Sequence, residues 1–156
     1  MANAYKCGFY RIIILFVVGL ISTTTFAQNN YKVVEVISTN SSKVCFDLKV
    51  YGNSKKTIGQ DAAIAAVKAV MFEGIEGTAF SKPLLPQGER TCVQQYPVYF
   101  TNLFNTTYAD FVTTCTMKSK FKKADDDKST LFEVEVKVIQ LRRDLEKNKI
   151  KTKIAL

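Results

Sequence analysis

Glu73 and Glu76 bracket Gly74, and a carboxylate pair is the one constellation here with the residue types for acid–base work. Two carboxyl groups held at the right separation can hydrolyse a glycosidic bond, one as acid and one as base or nucleophile. Sequence spacing does not supply that separation. Cys45, Cys92 and Cys115 are the thiol candidates. A nucleophilic thiol needs an activating base. The chain contains no histidine, so the base would be Asp, Glu or Lys. The same lack of histidine removes His-based triads and His zinc sites. No cysteine pair has C-x-x-C spacing, which excludes a thioredoxin-type motif and a zinc knuckle. Asp125, Asp126 and Asp127 lack the alternating ligands, central glycine and distal glutamate of a calcium loop, and read as a solvated hairpin tip. No phosphate-binding glycine loop and no G-x-S-x-G elbow occurs. No cofactor is implied.

The elements that would position these residues begin after a leader. Lys6 and Arg11 precede an apolar run, Ile12 to Ile21, and small residues lead to Ala27. A basic start, a short apolar centre and a small-residue exit make a secretory signal peptide, with cleavage between Ala27 and Gln28. The run is shorter than the ~20 residues of a membrane span. Cys7 stands before the run and not at the cleavage point, so a lipid anchor is not expected. Residues 1–27 are read as the signal peptide and 28–156 as a single exported domain, periplasmic or secreted, touching a membrane at most peripherally. The 156-residue chain carries 22 basic and 14 acidic residues, a net +8. Without Lys6 and Arg11 the balance is 20 against 14, or +6. Such a charge favours anionic surfaces and solubility alike. Export and the lack of an Arg-rich or Gly-aromatic signature argue against nucleic acid as a partner. Export also permits disulfides.

Tyr31 to Ser38 is rich in β-branched residues, and Lys43 to Tyr51 alternates, with Val44, Phe46, Leu48 and Val50 on one face. Joined by the turn Asn40-Ser41-Ser42, they form an antiparallel hairpin. Asn40-Ser41-Ser42 and Asn105-Thr106-Thr107 also match the glycosylation acceptor pattern. Thr57 and Gln60 have capping-box spacing before an Ala-rich helix from Ala62 to Phe72, stopped by Gly74 and Gly77. Glu73 to Arg90 reads as a long loop whose Phe80, Leu84 and Leu85 either tuck onto the core or form an interface. Tyr96 to Val112 carries an aromatic stripe at helical spacing, with Pro97 in a first turn and a break at Asn105-Thr106-Thr107.

A second hairpin follows. Closing it around Asp126-Asp127 places Lys118 opposite Glu135, Lys120 opposite Glu133 and Phe121 opposite Phe132, so both faces match. Gln140 to Asn148 reads as a short helix with Leu141 and Leu145 stacked, and Ile150 to Leu156 as a tail able to add an edge strand. Cys115 falls with Met117 and Phe121 and Cys45 on a polar face, so Cys92–Cys115 is the expected disulfide, with one thiol left over. The expected architecture is α+β, an antiparallel sheet of two hairpins with helices packed on one face, in the order ββααββα.

FEGIEGT (Phe72 to Thr78), YFTNLFNTTYADFV (Tyr99 to Val112) and LRRDLEKNKI (Leu141 to Ile150), in this order of elements, resemble a group of small exported envelope proteins of uncharacterised role. That group is in turn similar to the α+β domains of flagellar T-ring and curli-secretion proteins. The resemblance implies a non-enzymatic binding or assembly role at the cell envelope, with another envelope protein as partner. It carries over no catalytic residue. Two alternatives stay open. One is a small-ligand carrier with an aromatic-lined cavity. The other is a His-independent secreted hydrolase, which needs Glu73, Glu76 and Cys92 in one cleft.

Overall fold

The structure is a computed structural model and describes residues 30–52, 54–120 and 129–150. The leader, the Asp125–Asp127 tip, Phe121 and residues 151–156 lie outside the described residues, as does the tail strand expected there. The expected α+β architecture is present. Four antiparallel strands form one sheet in the order β1-β2-β4-β3: β1 Tyr31–Thr39, β2 Val44–Tyr51, β3 Val112–Met117 and β4 Ser129–Val136. Four helices accompany it: α1 Ile58–Lys68, α2 Glu89–Gln95, α3 Pro97–Asn105 and α4 Val138–Lys147. The order is therefore ββαααββα, one helix more than the sequence pattern suggests. The extra helix, α2, is a polar seven-residue segment with no apolar stripe to announce it.

The first hairpin turns where expected. The Asn40 side-chain oxygen accepts from the N–H groups of Ser42 and Lys43 at 2.9 and 2.8 Å, an Asx turn that leaves the strands antiparallel. Strand β1 carries two bulges against β2, which leave Val34 and Ile37 as extra residues on the sheet edge. The second hairpin differs from the expected register. Thr114, not Lys118, faces Glu135, and Met117, not Phe121, faces Phe132. A slip of four residues (Thr114 in place of Lys118) preserves which face each side chain takes, so the alternation alone could not distinguish the two. The register is set from outside the hairpin: Lys118 runs to Asp47 on β2, beyond its own partner strand.

Helix α1 is short-sided because it lies flat on the sheet. Ala62, Ala65, Ala66 and Ala69 let its backbone approach Phe46, Leu48, Phe132 and Val134 of the two central strands, and all are buried. Thr57 is its N-cap residue, but the capping box does not form, since the Thr57 hydroxyl donates to Asp61 at 3.1 Å. The helix widens over Ala69–Glu73 into a π turn, and Gly74 ends it at φ 79°. A Cβ at Gly74 would run into the Ser81 carbonyl, so only glycine fits.

The chain after Gly74 folds back onto the core. Phe80, Leu84 and Leu85 are at most 5% exposed, so in this conformation they are packing residues and not an interface. The Leu85 N–H donates to the Met71 carbonyl and the Ile75 N–H to the Phe80 carbonyl, which fixes the loop from both sides. The aromatic stripe of α3 is core as well. Phe100 packs against Phe72, Tyr99 and Phe104, with ring centroids 6.1, 5.1 and 5.8 Å away. Helix α4 buries Val138, Leu141 and Leu145, and its opposite face is polar.

Candidate functional site

The residues singled out for chemistry do not converge. Cys92 is buried in the core, whereas Glu73 and Glu76 are exposed. Cys45, Cys92 and Cys115 are all free thiols, so the expected Cys92–Cys115 bond is not made. Cys115 instead points at the Gly59 carbonyl, 3.7 Å away, and Cys92 sits among apolar side chains under α2. Burial pushes all three thiols up, and the carboxylates of Glu133, Glu135 and Asp47 add to the effect at Cys45. A raised thiol stays protonated and is a poor nucleophile. Cys45 stands on the outer sheet face as expected, yet it is buried there, because β2 is a central strand.

Glu73 ends the π turn and accepts the Tyr31 hydroxyl at 2.7 Å. Tyr31 opens β1, so this bond ties the sheet edge to the helical layer. Burial first, then the bond to Glu73 and the charges of Glu73 and Glu89, hold the phenol well above the ordinary tyrosine range. Glu89 in turn pairs with Lys68 of α1, whose ammonium lies 4.7 Å from the Phe104 ring centre. Four elements are clasped at this corner, with every charge facing an opposite one or a donor.

The sheet face turned away from the helices carries a second network. Asp47 is 6% exposed and takes both carboxylate oxygens to Lys118, at 2.8 and 3.0 Å. Lys118 also approaches Glu133 at 3.7 Å, and Lys43 pairs with Glu135 at 3.3 Å. The hydrogen bond to Asp47 is the main cause that raises the Lys118 pKa. Opposite charges alternate across neighbouring strands here, which fixes register. At the rim of this network the bulged edge strand leaves Val34 and Ile37 54% and 44% exposed.

A third place is concave. Helix α4 and the tight 3-10 turn Thr107–Phe111 enclose an open groove of about 530 Å³. Gln140, Arg143, Asp144 and Lys147 face it from α4, at the i, i+3, i+4, i+7 spacing of one helical stripe. Lys137 and Asp110 face it from the other wall. The Lys137 ammonium donates to the Asp110 carbonyl at 2.9 Å, and Asp144 accepts the Tyr99 hydroxyl at 2.8 Å. Burial, then that bond and charge, raise the Tyr99 phenol. The stripe on α4 was readable from the sequence as a polar helix face. Its pairing with Lys137 and Asp110 needed the turn that brings residue 110 beside residue 137.

Among the described residues no group of three or more His, Cys, Asp or Glu could hold a metal ion, and no helix is long and apolar enough to cross a membrane. No family model, curated protein or solved structure matches the chain.

Proposed function

We propose that this chain is a non-enzymatic, exported protein of the cell envelope that acts by binding, as an assembly or accessory component, with another envelope protein as its partner. The observation that carries this reading is the open side of the sheet. All four helices serve the other face, and the edge strand β1 presents Val34 and Ile37 on bulges beside an ion-paired charge network. An edge strand offers unpaired backbone groups to an incoming chain, and apolar side chains beside it give that contact hydrophobic area. The alternatives draw less support. The aromatic stripe that would line a carrier's cavity is spent on ring-to-ring packing, and Cys92 is buried whereas Glu73 and Glu76 are exposed. The leader read in the sequence and the likeness to envelope proteins belong to the same proposal.

The test places a photo-crosslinking amino acid at Ile37 or Val34 of the tagged full-length chain in its native cell, with Lys55 as a control position. Mass spectrometry then identifies what is joined. The reading expects one envelope protein captured reproducibly from β1 and not from Lys55, and an exported form whose mass begins at Gln28. A chain that stays in the cytoplasm, or β1 positions that capture nothing, would overturn it.

A further inference from the structure

We infer that the groove between α4 and the turn at Thr107–Phe111 is a binding site for a phosphoryl-bearing anion. The inference deepens the envelope-binding reading, on which it rests for where such a ligand is met. Three cations face one concavity, Lys137, Arg143 and Lys147. Arg142, next in sequence, is paired with Glu146 at 2.8 Å on another side of the helix. Arg143 and Lys147, by contrast, have no hydrogen-bond or ion-pair partner among the described residues, although Asp144 lies between them. That carboxylate is turned to the Tyr99 hydroxyl. Lys137 spends one of its three donors on the Asp110 carbonyl, which fixes its ammonium in the wall and leaves two donors. The Arg143 guanidinium is a planar fork of donors matched to phosphate oxygens, and the Gln140 amide adds a neutral donor one turn away.

The charge of the groove selects the ligand class. Asp110 and Asp144 oppose the three cations, so the net attraction for a singly charged carboxylate is small. A phosphate monoester carries about two charges and three acceptor oxygens, and so gains more from the same cations than a carboxylate does. The same helix end reinforces the field: positions 142 to 149 hold four Lys and Arg against two Asp and Glu. A volume of about 530 Å³ admits a phosphoryl group with its ester substituent. That ester can be soluble, or it can be a phospholipid headgroup at the membrane surface.

The experiment uses the protein as cells produce it, compared with Arg143→Ala/Lys147→Ala and with Lys55→Ala/Lys56→Ala. Both doubles remove two exposed cations, and only the first touches the groove. Pyrophosphate is titrated by calorimetry at low salt, and vesicles of phosphatidylcholine with and without phosphatidic acid, whose headgroup is a phosphate monoester, are tested by flotation. The expected result is that wild type binds pyrophosphate, that the groove variant binds it at least about tenfold more weakly, and that the control variant is unchanged. Flotation only with phosphatidic acid, lost in the groove variant, identifies a lipid headgroup. Pyrophosphate binding without flotation identifies a soluble phosphoester. Absence of wild-type binding, or an equal loss in both variants, overturns the site. Such a failure would leave the crosslinking result on β1 untouched, so the two readings fall separately.

Discussion

Gly74 and Lys149 both take left-handed backbone angles, φ 79° and 60°, and the two residues pay for them differently. Gly74 stops the first helix and accepts that angle freely, and it has no room for a Cβ beside Ser81. Lys149 stops the last helix in a Schellman-type cap, with the Ile150 N–H donating to the Leu145 carbonyl and the Lys149 N–H to the Glu146 carbonyl, both at 2.9 Å. A side chain in that conformation costs roughly 1–2 kcal/mol. Opposite outcomes are therefore expected in urea unfolding. Gly74→Ala should lower stability by about 2–4 kcal/mol, combining backbone strain with the clash. Lys149→Gly should raise it by about 0.5–1 kcal/mol, after the extra entropy of the unfolded chain is offset. Gly74 was legible in the sequence as a helix stop. Lys149 was not, because lysine carries no sign of the angle that the burial of Ile150 forces on it.

Strand β1 shows how one bond can hold an element. It is an edge strand with two bulges, and Tyr31 anchors its first residue to Glu73 across 42 positions of sequence. Tyr31→Phe keeps the ring and removes the bond. The expected loss is about 1 kcal/mol, with faster amide exchange confined to β1. The alkaline limb checks the cause. The phenol's pKa is raised in the folded protein, so its stabilising contribution is complete below the ordinary tyrosine value of 10.0 and is lost as pH climbs towards the folded value. Tyr99 and the three thiols act in the same direction. Urea midpoints should thus fall above the thiol and phenol ranges in wild type, and less steeply in Tyr31→Phe. The elements themselves were mostly legible. Alternation gave both hairpins and Pro97 gave the start of α3, since each is written in local chemistry. Helix α2 and the second register were not, because the first depends on packing of Cys92 and the second on Asp47, 71 residues from Lys118.

At the scale of the whole molecule, the three thiols grade the fold by depth. Cys115 lies half-buried on the edge strand β3, Cys45 is buried on the open face of the sheet, and Cys92 sits in the core. Sequence parity places Cys115 on the inner face, where its thiol points at the Gly59 carbonyl, and the expected pair is unbonded. A thiol reacts only when exposed and deprotonated, and burial opposes both at all three positions. Local and global opening should therefore separate by rate. With excess iodoacetamide under native conditions, Cys115 is expected to be labelled first, through fraying of β3 from the Gly59 carbonyl. Cys45 should follow as the outer network around Lys118 opens, and Cys92 only at the rate of global unfolding. Gly74→Ala, by lowering global stability, should accelerate Cys92 far more than Cys115. Peptide mass spectrometry over a time course reads all three. Without reductant, full denaturation should expose each of them to alkylation. A blocked Cys92 and Cys115 under those conditions would mean that the exported protein bonds them.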